Sequence, residues 1–91
     1  MTVRYSRRAL SQLASLHEYL AARNPAAKAN VVASIRETVA RLRELPLLGK
    51  RTDEPRVHLL IEPKYLYRVF YRVEGDTIFI IRVLHRSQER P

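Results

Sequence analysis

The chain has no cysteine and no tryptophan, a single methionine, and only two glycines among 91 residues. Without cysteine there can be no disulfide, no thiolate catalysis and no cysteine-based zinc site, a composition that fits a cytoplasmic protein. Nor is there an apolar run of about 18 residues of the kind that spans a membrane. The first residues alternate charged and apolar types with no signal-peptide core, which argues against a spanning or secreted form. Acidic residues are scarce as well: nine Asp and Glu stand against 17 Lys and Arg, for a net charge of +8. Such an excess raises encounter rates with polyanions, whether nucleic acid, ribosomes or a strongly acidic protein. Most of the cations are arginine, whose planar fork suits phosphate and carboxylate better than lysine does.

What is present reads as one small domain over residues 1–91. Hydrophobic content of 46% with 29% charged residues is ordinary for a globular chain and argues against disorder. A domain of this size folds with little margin, so that a bound partner could matter to its stability.

Thr2-Val3-Arg4-Tyr5 alternates as a short strand does, and Ser6 sits where a helix cap is wanted. From Arg7 to Arg23 the apolar positions Ala9, Leu13, Leu16 and Leu20, with Leu10 alongside, recur at spacings of four, three and four, the mark of a helix with one buried stripe. Asn24-Pro25 ends that helix and starts another, since proline is comfortable at a first helical position. Val32, Ile35, Val39 and Leu42 carry the second helix to about Glu44, and the pair should form an antiparallel hairpin. The stretch Pro46 to Pro55 reads as a connecting loop. Val57 to Ile61 is a compact strand candidate, and Glu62-Pro63-Lys64 is a turn.

The last third is the most informative. Leu66 to Val73 (LYRVFYRV) and Thr77 to Leu84 (TIFIIRVL) are β-branched and aromatic runs joined by Glu74-Gly75-Asp76, which predicts a β-hairpin. Alternation puts Tyr67, Val69, Tyr71 and Val73 on one face and Leu66, Arg68, Phe70 and Arg72 on the other. With a three-residue loop Val73 pairs with Thr77, Val69 with Ile81, and Arg68 falls opposite Arg82, a locally destabilising pair of like charges. A two-residue loop would move Arg82 away from Arg68. Arg86 shares the parity of Arg72. The predicted architecture is α+β: a short N-terminal strand and an antiparallel helix hairpin packed on one face of a mainly antiparallel sheet that three C-terminal strands complete. Tyr67 and Tyr71 belong to the helix-covered side, with their hydroxyls near its edge. The other face is left uncovered, with Ile78, Ile80, Phe70, Leu66 and Leu60 on or near it, so it is apolar as well as basic and reads as a partner site.

Taken in this order and at this length, YRVFYRV, the acidic-glycine turn and the closing IIRVLHRSQE resemble the RelE/ParE superfamily of toxins from type II toxin–antitoxin pairs. The resemblance runs from Val3 to Glu89. It implies one of two activities. RelE-like members are ribosome-dependent endoribonucleases that cut messenger RNA, whereas ParE-like members poison DNA gyrase and are not themselves enzymes. In both branches a small antitoxin neutralises the toxin by wrapping it with an extended C-terminal segment, here expected to be acidic and apolar, and operator DNA is met only through the antitoxin.

Metal-independent RNA cleavage needs a base for the ribose 2′-hydroxyl, cations for the phosphate and an acid for the leaving oxygen. By the resemblance, Arg68 and Arg86 match phosphate-binding positions of RelE-like nucleases, and His85 has the side chain whose unperturbed pKa suits acid or base work. The departures point the other way. The first strand after the helices, Val57-His58-Leu59-Leu60-Ile61, has only His58 where such nucleases carry basic residues, and Ser87-Gln88-Glu89-Arg90-Pro91 holds no tyrosine. The matched and missing residues favour the ParE-like branch, with gyrase as target and the stretch from Arg82 to Glu89 as effector surface. The alternatives are the RelE-like nuclease, acting with ribosome and messenger RNA through Arg68, His85 and Arg86, and a general nucleic-acid-binding module. Arg68, Arg72, Arg82, His85 and Arg86 are the expected target- and antitoxin-binding residues. His17 reads as a surface or boundary residue, and His58 as packing or as part of the open face. No histidines or carboxylates have ligand spacing, so neither metal nor cofactor is expected, and no membrane partner either.

Overall fold

The computed structural model describes residues 1–85, apart from the side chains of 27–29. Strand β1 (Thr2–Tyr5) leads into helix α1 (Arg7–Arg23) and helix α2 (Pro25–Ala40), which a 3-10 turn (Arg41–Arg43) continues. Four strands follow: β2 (Lys50–Arg51), β3 (His58–Ile61), β4 (Tyr67–Glu74) and β5 (Thr77–His85). They form one sheet in the order β1-β5-β4-β3-β2, antiparallel throughout except that β1 runs parallel to β5. Both helices pack on one face, so the α+β arrangement expected from the sequence is present. No described helix is long and apolar enough to cross a membrane.

The helices follow their local signals. Ser6 caps α1, its hydroxyl accepting from the Ala9 N–H at 3.0 Å. The Asn24 N–H closes the other end on the Leu20 carbonyl at 2.7 Å, and Pro25 starts α2. Along α1, Ala9 and Leu13 are buried and Leu16 and Leu20 partly so, whereas Leu10 is half exposed. In α2 the stripe is Val31, Ile35 and Val39, continued by Leu42, so it begins at Val31 and not at Val32. The helix tightens to 3-10 geometry after Ala40 and stops short of Glu44.

The hairpin departs from the expected register. Its loop is two residues, Gly75 and Asp76, with Glu74 paired to Thr77 and Val73 to Ile78. Gly75 takes a positive φ of 59°, the left-handed geometry that favours glycine. Farther along, Tyr71 pairs with Ile80 but Phe70 pairs with Arg82, so Ile81 is an extra residue, a β-bulge. The bulge reverses the parity of β5: Ile78 and Ile80 face the helices before it, as Val83 does after it. Ile78 and Ile80 are therefore fully buried core residues and not part of the open face, and Leu60, paired with Val69, also packs on the core. Arg68 lies opposite Leu84, not Arg82. The bulge is tied to the helix cap, because Ser6 donates its N–H to the Ile80 carbonyl (2.9 Å) and its hydroxyl to the Ile81 carbonyl (2.7 Å).

The loop from Pro46 to Pro55 is more ordered than its composition suggests, since Lys50–Arg51 adds an edge strand to β3. Tyr71, fully buried, anchors it: the hydroxyl accepts from the Gly49 N–H (2.8 Å) and donates to the Pro46 carbonyl (2.9 Å). A Cβ at Gly49 would stand 2.7 Å from the Leu59 carbonyl oxygen and 2.8 Å from the Tyr71 ring, so only glycine admits this approach.

Between β3 and β4 the chain reverses around a buried carboxylate. Glu62 is fully buried and accepts from the Ser34 hydroxyl (2.6 Å) and the N–H groups of Lys64 (2.8 Å) and Tyr65 (2.7 Å). Burial pushes its pKa up, but the hydrogen bonds from Ser34 and from the backbone prevail and hold it below the ordinary carboxyl range. The turn thereby becomes fastened to α2.

Two consequences can be measured by urea unfolding. Ser6→Ala removes the cap and the bond to the bulge together and should cost about 1–3 kcal/mol. A carboxyl with a depressed folded-state pKa contributes stability that is fully present above its unfolded value of about 4.3 and is lost as pH falls through the folded value. Glu62→Gln should therefore be less stable than wild type at neutral pH, with the difference shrinking on acidification.

Candidate functional site on the open sheet face

The register assigns each residue of the uncovered face to a row across the sheet. Arg4, Phe79 and Arg72 form one row; Lys50, Leu59, Phe70 and Arg82 form the next; Ile61, Arg68 and Leu84 form the third. In every row each cation has an apolar residue as its direct cross-strand neighbour, and no two cations oppose each other. The face therefore concentrates positive charge without the like-charge pair that the expected register implied.

Two arginines are held in the same way. The Arg82 guanidinium lies over the Phe70 ring, 3.9 Å from its centre, and bonds the Glu54 carboxylate at 2.6 Å. The Arg72 guanidinium stands 5.4 Å from the centre of Phe79, and its Nε pairs with Glu74 at 2.7 Å. Their exposure separates them: the Arg82 side chain is 15% exposed, that of Arg72 46%. Glu54 reaches the sheet from the turn after β2, where Arg56 takes a positive φ of 65°. The hydrogen bond and charge of Arg82 hold the Glu54 carboxyl below its usual range, with Arg8 adding to the field.

Of the five residues singled out by the sequence, Arg68, Arg72 and Arg82 share this face, while His85 does not. His85 pairs with Tyr67 on the helix side, their rings in edge contact at 5.1 Å. It lines a cleft of about 580 Å³ with Gln12, Ser15, Leu16, Tyr19 and Tyr67. Arg86, like Ser87 to Pro91, lies outside the described residues. Along the free edge of β5 beyond the bulge, the Val83 N–H donates to the Gln12 side-chain carbonyl at 2.7 Å. His58 pairs with Tyr71 on the helix side and stacks on it, ring centres 5.3 Å apart, its buried Nδ1 finding no hydrogen-bond partner among the described residues. It is thus a packing residue and not part of the open face. His17 is exposed on α1.

Sequence reasoning missed Arg4, Lys50, Phe79, Glu54 and Glu74 as members of this face. The alternation of TVRY carried a signal for Arg4. Nothing local marks Glu54, whose contact with Arg82 spans 28 residues. Among the described residues no group of three or more His, Asp or Glu could hold a metal ion. Catalysis by proton transfer needs donor and acceptor groups converging on one atom. The described face instead offers spaced guanidinium groups beside aromatic rings, suited to oxyanions such as carboxylate and phosphate.

Comparison with known proteins agrees with this architecture. The family model described as "ParE toxin of type II toxin-antitoxin system, parDE" matches residues 3–90. A toxin from the chromosomal ParDE system of P. aeruginosa superposes with a TM-score of 0.83 at 24% identity, covering 93% of this chain and 95% of that one. A chain of the intact E. coli RelBE toxin–antitoxin complex gives 0.72 at 19% identity, with 98% of each chain covered. One from the RelBE2 complex of Mycobacterium tuberculosis gives 0.69 at 26% identity, covering 93% and 96%. The search of curated proteins finds no match.

The difference in burial between the two arginines predicts unequal costs of removal. Arg82→Ala should lower stability by about 1–2 kcal/mol through lost packing on Phe70. Arg72→Ala should stay within about 0.5 kcal/mol of wild type. Denaturant midpoints at equal slope would measure both.

Proposed function

Since the chain belongs to the ParE toxin family of type II toxin–antitoxin systems, we propose that it arrests growth by binding and inhibiting DNA gyrase. In this reading it acts in the cytoplasm without cofactor or metal. The target surface is the open sheet face with Arg68, Arg72 and Arg82, together with the end of β5 from Arg82 to His85 and the sequence that follows it, Arg86 to Glu89. A cognate antitoxin covers the same region with an acidic and apolar segment that orders on binding. Charge complementarity speeds that encounter, and the apolar members of the face, Leu59, Phe70, Phe79 and Leu84, supply burial. Contact with operator DNA comes only through the antitoxin.

The observation that carries the gyrase reading is the divergence of Arg68 and His85. Arg68 is on the open face and His85 on the helix side of the same pair of strands. A nuclease would need this cation and this acid or base to meet at one phosphate, whereas inhibition by binding makes no such demand. The second reading, ribosome-dependent cleavage of messenger RNA, draws on the likeness to two RelBE toxins and on the same arginines, with Arg68, His85 and Arg86 as its catalytic set.

Tightly controlled expression of wild type, Arg86→Ala and a truncation after Leu84 separates the two. Gyrase inhibition should induce a DNA damage response with translated messages intact, and the truncation should abolish it. Cleavage of translated messages that is lost in Arg86→Ala would overturn the gyrase reading in favour of the nuclease. Co-expression of a small acidic protein from a neighbouring reading frame should restore growth.

A further inference from the structure

Arg82 has the features of a formed anion site. Its side chain is only 15% exposed, its guanidinium carbon stands 3.9 Å from the centre of the Phe70 ring, and one terminal nitrogen bonds a carboxylate at 2.6 Å. The carboxylate it meets belongs to the chain itself. Glu54 comes from a turn, is half exposed, and makes no other hydrogen bond through its side chain among the described contacts. The two partners are thus unequal. Arg82 is fixed by strand, bulge and ring, while Glu54 is carried by an exposed turn. Nothing else at the site needs Glu54 in place, because the turn is closed independently by Thr52, whose hydroxyl donates to the Val57 carbonyl (2.9 Å) and accepts from the Glu54 N–H (3.1 Å).

We infer that Arg82 on Phe70 is a carboxylate-binding site which Glu54 fills in the free protein, and that an acidic side chain of a bound peptide takes it over by exchange. The antitoxin reading above supplies only the source of that peptide. Glu54 then serves as a stand-in: it keeps the Arg82 guanidinium paired while the partner is absent, and competes with any partner that arrives. Its cost is affinity, since the incoming carboxylate replaces an ion pair instead of creating one. Its gain is selection against ligands that offer no acidic group, which cannot compensate the displaced glutamate. The chemistry chosen is carboxylate over phosphate because the occupant seen is a carboxylate in good geometry and the neighbouring positions, Leu59, Phe70 and Leu84, are apolar, as suits a peptide with alternating acidic and apolar residues.

The test uses the whole chain and an oligoglutamate peptide as probe, so it does not depend on any antitoxin. Glu54→Gln should bind the peptide roughly two- to fivefold more tightly than wild type, the size expected for one exposed ion pair removed from competition. Asp53→Asn makes the same change of net charge one residue away and should have a smaller effect. In an Arg82→Gln background the Glu54→Gln gain should vanish. In wild type, carboxyl NMR should show the Glu54 pKa, held low in the free protein, returning towards its ordinary value as peptide saturates. Equal gains in Glu54→Gln and Asp53→Asn would mean charge alone is felt and would overturn the exchange. So would a Glu54 signal unmoved at saturation, or displacement of Glu54 by inorganic phosphate and oligouridine but not by oligoglutamate. If the exchange is seen with peptide while no antitoxin restores growth, the toxin reading fails and the site stands; the reverse result leaves the toxin reading intact and removes this site.

Discussion

The serine hydroxyl at the start of α1 holds together two features that the rest of the molecule depends on. Ser6 accepts from the first turn of the helix and donates to the carbonyl of the bulged Ile81. Because side chains alternate along a strand, the extra residue sends everything beyond it to the opposite face. Ile78 and Ile80 consequently serve the core, and Arg82 leaves it. Continued without the bulge, the same strand would carry Arg82 under the helices beside Ile80, an unpaired charge in the core, which is strongly unfavourable. A single hydrogen-bonding side chain therefore connects helix initiation, core composition and the charge of the open face.

That face shows how a sheet can collect arginines without repelling itself. Separation by rows places apolar side chains between the cations, and the rings of Phe70 and Phe79 give Arg82 and Arg72 a surface on which the guanidinium is attracted and not merely tolerated. Glu54 and Glu74 balance those two charges locally. The net charge of +8 acts at long range, as a steering field, while the short-range chemistry is a set of paired, oriented groups. Long-range attraction and local recognition can thus be altered separately by substitution.

Much of this was legible in the sequence. The helix periodicity, the Ser6 cap, the Asn24-Pro25 boundary and the β-rich final third are local patterns, and each found its element. Tyr67, Val69, Tyr71 and Val73 share the helix side as their alternation implied. What failed was parity across β5, since a bulge leaves no mark in IFIIRV and the two-residue loop around Gly75 competed with a three-residue one. Strand β2 escaped because two residues cannot show a period, and it is held by a tyrosine hydroxyl more than twenty residues away. Glu62 read as a turn residue, since its burial depends on Ser34 in a distant helix. At the site, alternation placed Arg68 and Arg72 together, whereas Arg82 joins them through the bulge and not through the expected register, and His85 lies on the opposite side.

The parallel pairing of β1 with β5 joins Thr2 to Thr77 and Tyr5 to Ile80, almost the two ends of the described chain. During synthesis the first strand emerges long before its partner exists. At about 5–20 residues per second, β1 and the cap at Ser6 wait on the order of ten seconds for the bulge that completes them. A nascent chain of this protein can form its helix pair early, but its sheet, and with it the arginine rows, comes into being only once β5 has been made. Until β5 has emerged, the nascent chain therefore carries its helices without the arginine-bearing face.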